Sequence, residues 1–216
     1  MKAIIFGGAD INNYEFYRNY LKDFDFTKVK IICCDRGLLH AHKLRFLPDC
    51  IVGDFDSVDK TLLNNYIKKN VYIEKYPSDK NYTDLELGIN IAIDKYFVNE
   101  IFIIGAIGNR MDHTFSNFHL LYMLTKKNIK SFLIDSNNII SVVNGETLIE
   151  GKKGDIISIL PFLGDAFGVT LKGFKYPLDN AIMKCGESLG VSNILLDTKG
   201  LINVKDGFLI VIKARD

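Results

Sequence analysis

The sequence predicts an α/β protein: an amino-terminal open, mostly parallel α/β sheet domain over residues 1–132, followed by a small carboxy-terminal β-sandwich domain over residues 133–216. Three observations predict it. Up to about residue 130, short apolar runs that end in glycine or polar residues alternate with helical periods, the grammar of an open α/β sheet. Beyond that point come many short apolar runs with turn residues between them, at the spacing of a sandwich or barrel. The polar clusters of the first half, finally, stand just past the carboxyl ends of predicted strands, where ligands bind in open α/β sheets.

Bulk properties agree with two soluble units. A chain of 216 residues with 48% apolar and 25% charged residues carries enough apolar material for real cores. A formal charge of +1 and no polybasic run exclude a nucleic-acid or anionic-membrane binder. The opening MKAIIFGGAD has an apolar run shorter than a signal peptide's, and no stretch reaches the roughly 18 residues of a membrane helix, so a cytoplasmic protein is expected. Cys33, Cys34, Cys50 and Cys185 make no C-x-x-C pair and read as small reduced hydrophobes inside the fold.

In chain order, residues 2–6 (KAIIF) and 29–34 (VKIICC) read as buried parallel strands opening into loops. Residues 50–53 and 101–104 repeat the theme, and 71–73 is a weaker candidate. Between them, Tyr14, Tyr17 and Leu21 share one helical face, as do Leu38, Leu39 and His42. Thr83 followed by Glu86 is a capping box, which starts a helix at Asp84 with Leu85, Ile89, Ala92, Ile93 and Tyr96 on its apolar side. The β-rich half is read from SFLI, NIISVV, ETLIE, DIISILPF, GVTLKG, NILLD, INVKDG and FLIVIK.

Four stretches carry candidate chemistry. In IVGDFDSV, continued extension would point Asp54 and Asp56 one way and turn Phe55 to the core, which is repulsive unless a cation lies between the carboxylates. These hard oxygen donors, with no His or Cys nearby, suit Mg²⁺ shared with a polyphosphate; a solvated turn explains them as well. Asp35 follows the strand KIICC at the same expected edge. YPSDKNYTDLE adds Asp84 at a helix start, where an acid also complements the helix dipole, and Lys80, a phosphate contact or a solvated lysine. GAIGNRMDHTFSNF joins Gly105 and Gly108, able to present backbone N–H groups to an anion, with Arg110 and a helix beginning near Asp112 or His113. His113, Ser116 and Asn117 fall at i, i+3, i+4 on that helix as a polar face, while Asp112 as an N-cap is the plain alternative. In the β-rich half, Ser192 and Asn193 precede an apolar run, as a turn and strand start would; Asn137 and Asn138 are loop polars or nucleotide contacts. Pattern alone ends at a Mg²⁺-dependent enzyme acting on a phosphorylated nucleotide.

The series CDRG (34–37), LPDCIVGDFDS (47–57), DKNYTDLELGI (79–89), GAIGNRMDHTFSN (105–117), YPL (176–178) and VSN (191–193) resembles the thiamine pyrophosphokinase (thiamine diphosphokinase) family from about residue 3 to 212. The resemblance implies an amino-terminal catalytic domain, a carboxy-terminal sandwich, and a homodimer with thiamine at the subunit interface. It implies that ATP and thiamine give thiamine diphosphate and AMP. It gives Asp54, Asp56 and Asp84 to Mg²⁺ with Asp35 beside them, and Lys80, Thr83, Asn109 and Arg110 to ATP and its phosphates. Asp112, His113, Ser192 and Asn193 fall to thiamine, with Asp112 also orienting or deprotonating its hydroxyl. The chain departs from the family pattern at Asn81, where aspartate is usual, at Gly108-Asn109, where Gly-Gly is usual, and in having no Trp. A related hydroxymethylpterin diphosphokinase and a non-catalytic nucleotide- or thiamine-binding regulator are the alternative readings.

Overall fold

The computed structural model describes residues 1–215. Its residues cluster into two compact units: residues 1–120 with 127–136, and residues 121–126 with 137 onward.

The first unit runs β1 (Lys2–Phe6), α1 (Tyr14–Leu21), a single 3₁₀ turn (Phe26–Lys28), β2 (Val29–Cys34), α2 (Gly37–Lys43), β3 (Cys50–Gly53), α3 (Lys60–Ile67), β4 (Tyr72–Lys75), α4 (Asp84–Asp94), β5 (Glu100–Ile104), α5 (Met111–Lys126, whose residues from Leu121 on cluster with the second unit) and β6 (Lys130–Ile134). The six strands pair in parallel in the order β6-β5-β1-β2-β3-β4. Their near-continuous aliphatic runs follow from covering on both faces: Ile4, Ile5, Phe6, Ile32, Ile51 and Ile103 are fully buried. The chain moves outward from β1 through β4, then returns to β1's other side with β5. The order therefore reverses between β1 and β5, which makes the loops after those strands the natural ligand crevice.

Local chemistry sets the elements. Asn13 and Asp59 cap α1 and α3, accepting from Phe16 N and Leu62 N. Thr83 caps α4 by accepting from Glu86 N at 3.2 Å, as its capping box predicts. In α2 the expected face is corrected: Leu38 and Ala41 are buried with His40, whereas Leu39 and His42 are exposed. Gly37 fixes that rotation, because a Cβ there would stand 1.9 Å from the Phe6 carbonyl oxygen, so the helix rests directly on β1. The extension read through Phe55 is also corrected. β3 ends at Gly53, Phe55 turns left-handed (φ +67) and is only half-buried, and the two aspartates lie in a loop.

SFLI is not part of the β-rich half: it forms most of β6 and pairs in parallel with β5, with α5 as the crossover that a parallel pair requires. The second unit comprises β7 (Asn138–Glu150), β8 (Ile156–Pro161), β9 (Ala166–Lys172), β10 (Leu178–Met183), β11 (Asn193–Ile194) and β12 (Lys199–Ala214), all antiparallel. β12 pairs along its length with β7, and on its other side first with β9 and then, past a register shift between Val204 and Leu209, with β8. A register shift of this kind re-aims a strand and lets it serve two neighbours. The core gathers Ile157, Ile159, Leu171, Phe174, Met183 and Leu195.

Cys33, Cys34 and Cys50 are buried and free, and burial pushes the Cys50 thiol up to about 12. Cys185 is exposed, against the expectation of an interior residue; its N–H donates to Asp165 Oδ1 in a surface loop. Among the described residues no helix is long and apolar enough to cross a membrane.

Candidate active site

The carboxyl edge of the parallel sheet holds the acids. Asp35 leaves β2 with a left-handed backbone (φ +50) and donates its N–H to Val52 O. Its Oδ1 accepts from Phe55 N at 3.0 Å and its Oδ2 from Ser57 Oγ at 3.2 Å, so the residue anchors the loop that carries the other two aspartates. Gly53 is required there, since its φ is +149 and a Cβ would meet Asp35 Oδ1 at 2.3 Å. Asp54 Oδ1 accepts from Asp56 N at 3.0 Å, and Asp56 Oδ2 accepts from Ser78 Oγ at 3.0 Å, a bond that joins this loop to the one after β4. Asp84, at the first position of α4, faces Lys80 Nζ at 3.0 Å, with side chains only 26% and 12% exposed. Lys80 also donates to Pro77 O at 3.2 Å.

The charges around these groups are unbalanced. Burial raises the Asp35 carboxyl above its ordinary value; the Phe55 N–H opposes this, while Asp84 and Asp54 add like-charge repulsion. Asp54 goes the other way, lowered first by the Asp56 N–H, then by Ser78 and the lysines at 80 and 75. Asp84 Oδ1 is buried, and what compensates it is the Lys80 ammonium at 3.0 Å. A buried carboxylate is costly unless a cation compensates it in this way. Among the described residues no three acids, histidines or cysteines close into a ready-made metal cage, so Asp54, Asp56 and Asp84 stand apart, each turned to a local donor. The donor set is nonetheless all hard carboxylate oxygen, which fits Mg²⁺ held jointly with a polyphosphate.

At the switch point, the loops after β1 and β5 touch through backbone. Gly7 N donates to Ile104 O and Ala9 N to Gly105 O, each at 2.8 Å. A Cβ on Gly7 would lie 2.6 Å from Gly105 O, so only glycine permits this approach. Arg36 donates to Asp10 Oδ1 at 3.0 Å, bringing a guanidinium to the same edge. The loop 105–110 is gripped from α5: Asn117 Nδ2 donates to Ala106 O at 2.7 Å, and Thr114 Oγ1 accepts from Gly108 N at 3.1 Å. The expected polar face of α5 therefore divides. Asn117 is buried against the loop while His113 and Ser116 are exposed. Arg110 and Asp112 pair with each other (2.6 and 3.3 Å), both exposed, and this pair holds the Asp112 carboxyl below its usual range. His113 Nε2 is 4.0 Å from Asp112 Oδ2, and Asn109 is exposed beside them.

In the second unit, a cavity of about 250 Å³ is lined by Leu171, Tyr176, Leu178, Leu189, Val191 and Asn193, among others. Asn193 is 1% exposed, and its amide makes three hydrogen bonds: it accepts from Tyr176 N and Ile194 N at 3.0 and 2.9 Å and donates to Tyr176 O at 2.8 Å. It holds the Tyr176 turn in place. Ser192 is exposed with a left-handed backbone (φ +54), its N–H donating to Ser158 Oγ. Asn137 exchanges bonds with the Arg215 backbone.

Sequence reasoning passed over Gly7, Asp10, Arg36, His40 and Thr114. The GGAD run after KAIIF was the signal available for the first two; Arg36 and His40 depend on contacts between distant segments, and Thr114 on a bond back to Gly108.

A parallel sheet with acids, a lysine and glycine loops along one carboxyl edge has the layout of an α/β enzyme that handles phosphorylated ligands. Residues 21–133 match the family described as thiamin pyrophosphokinase, catalytic domain, and residues 128–209 match thiamin pyrophosphokinase, vitamin B1 binding domain. A thiamine pyrophosphokinase of Bacillus subtilis is 36% identical over 84% of this chain and 86% of its own. The crystal structure of thiamine pyrophosphokinase from Bacillus subtilis superposes with a TM-score of 0.87 at 31% identity, covering 100% of this chain and 99% of that one. The Geobacillus thermodenitrificans enzyme's structure gives 0.83 at 26% identity, covering 100% and 98%. The chain belongs to the thiamin pyrophosphokinase family, and it is an enzyme.

Proposed function

We propose that this enzyme moves a diphosphoryl group in one piece from ATP to the hydroxyl of thiamine, giving thiamine diphosphate and AMP, with Mg²⁺ as cofactor. The observation that carries the reading is the gathering of carboxylates at one sheet edge: Asp84 and Asp54 both act on Asp35 and help raise it, while Lys80 is paired to Asp84 at 3.0 Å. That arrangement calls for one more cation, and ATP brings Mg²⁺. Asp54, Asp56 and Asp84 would hold the metal, which supplies charge neutralisation on the polyphosphate.

The chain's own residues do the rest. The switch-point loops offer backbone N–H groups to the nucleotide, and Lys80 and Arg110 contact phosphate oxygens as negative charge develops on departing AMP. The thiamine oxygen bonds to the β-phosphorus as the bond from that phosphorus to the AMP oxygen breaks, and the hydroxyl proton leaves to Asp112 or to water. Arg110 is paired with Asp112, so substrate binding must divide that pair, freeing the guanidinium for phosphate and the carboxylate for the hydroxyl. The cavity beside Tyr176 suits an uncharged ring, with Asn193 shaping its wall. The reading includes a homodimer working in the cytoplasm.

AMP release tests it. Purified protein with ATP, Mg²⁺ and thiamine should form AMP, chelation should stop it, and a hydroxymethylpterin should not replace thiamine. Asp54→Asn should lower turnover by about 100-fold or more, the scale at which removing transition-state charge stabilisation is felt. An active Asp54→Asn, or a preference for the pterin, overturns the assignment; an unchanged Asp112→Asn removes only the base role.

A further inference from the structure

His40 is a polar ring sealed in the first unit, 3% exposed, on the buried face of α2. Its Nε2 lies 2.9 Å from Ala9 O, and its Nδ1 lies 2.7 Å from the Tyr14 hydroxyl on α1. A carbonyl oxygen can only accept, so Nε2 carries the proton; in the neutral ring Nδ1 then accepts from Tyr14. Burial favours this neutral form, lowering the histidine below its ordinary value. The Ala9 carbonyl opposes that shift, Lys43 and Arg36 reinforce it, and Asp10 opposes it. The same ring backs the second glycine loop, because a Cβ on Gly105 would sit 3.2 Å from His40 Cδ2.

A leucine at this place would suit the apolar packing of α2 but would leave Ala9 O without its donor. Ala9 is also the residue whose N–H ties the loop after β1 to Gly105 O. The ring therefore helps set the register between two loops whose hydrogen bonds to each other are otherwise backbone to backbone.

We propose that His40, oriented by Tyr14, is a positioning residue for the nucleotide: it fixes Ala9 so that the loops 7–10 and 105–109 stand ready, side by side, for the phosphates. This rests on the nucleotide lying at the switch point, as the proposed function has it. The ring touches no reacting atom; its effect falls on ATP affinity rather than on turnover.

Titration with the fluorescent nucleotide mant-ATP in the presence of Mg²⁺, alongside steady-state AMP formation, separates the possibilities. His40→Leu should weaken mant-ATP binding and raise KM for ATP by about tenfold, the share of one buried hydrogen bond that reaches the loop. Its kcat and KM for thiamine should stay within about threefold of wild type. His40→Gln, whose amide can donate where Nε2 does, should recover most of the ATP affinity. Tyr14→Phe, which removes one hydroxyl and no packing volume, should weaken ATP binding in the same direction and supplies the reading should His40→Leu not fold. Wild-type ATP affinity in these variants, loss confined to kcat, or His40→Gln as poor as His40→Leu would each overturn the role. Wild-type protein that binds mant-ATP but makes no AMP with thiamine would sink the assigned reaction alone, and variants that keep full affinity in an active enzyme would sink only the His40 inference.

Discussion

Replacing Asn193 by alanine tests whether this residue serves thiamine directly or through the fold. The side chain is 1% exposed and makes three hydrogen bonds, two of them to the backbone of Tyr176 and one to Ile194 N. Each neutral buried bond is worth about 1 kcal/mol net, and a partner left unsatisfied costs more unless water reaches it. Tyr176 is itself exposed, so water can replace part of the loss. The sum is about 2–3 kcal/mol, which for a chain of this size is a fall in Tm of roughly 4–12 °C. Circular-dichroism melts measure it, and thiamine KM measured well below the new midpoint shows how far the Tyr176 turn has moved. Asn193→Asp should be no better, since it keeps two acceptors but sets an oxygen against Tyr176 O. A melting point within about 1 °C of wild type together with a raised thiamine KM would refute the reasoning, because the amide would then be spending its bonds on ligand and not on the turn.

Two further perturbations follow from the geometry. Asp155 starts the β8 end of the second unit, ion-paired to Lys213 and accepting from Lys152 N at 2.7 Å. Burial raises its carboxyl, but the Lys213 bond and the Lys152 N–H outweigh that, leaving it lowered; its contribution is therefore present above the ordinary carboxylate value and lost as pH falls through the folded one. Asp155→Asn should cost about 1–2 kcal/mol in urea unfolding at neutral pH and progressively less toward about pH 3; a deficit that does not shrink on acidification contradicts the linkage. Gly53→Ala asks an L-residue to adopt φ +149 with its Cβ 2.3 Å from Asp35 Oδ1. The strain is about 1–3 kcal/mol, and relief requires Asp35 or the loop to move, so AMP formation should drop more than about tenfold with a higher Mg²⁺ requirement. Normal kinetics in a folded Gly53→Ala would mean the acids need not be held where they are.

Much of the first unit was legible because its strands are buried on both faces. KAIIF and VKIICC admit no polar residue except where a chain end or edge allows it, and Thr83 with Glu86 announces α4 by local chemistry alone. The shared edge of Asp35, Asp54 and Asp56 followed from strand direction. Legibility failed where long-range contact decides. The α2 face turned on Gly37 resting against Phe6, and no periodicity in seven residues could show that. β10 was missed because LDNAIM is mostly exposed and carries few apolar residues. NIISVV with ETLIE, and INVKDG with FLIVIK, read as four strands because Gly145 and the Lys205–Gly207 stretch look like turns; in the structure both runs are continuous and the irregularity is a register shift. His40 escaped functional reading because it bonds a backbone group of a segment far away in sequence, Ala9 O.

The position of β12 has a consequence for synthesis. It is the strand on which β7, β8 and β9 all depend, yet it is the last of them in chain order, while every strand of the parallel sheet precedes residue 137. A nascent chain halted before Lys199 thus carries a complete six-stranded sheet followed by ribbons with open edges, which are prone to pair with the wrong neighbour. The second unit is protected from that fate only once its final strand has left the ribosome.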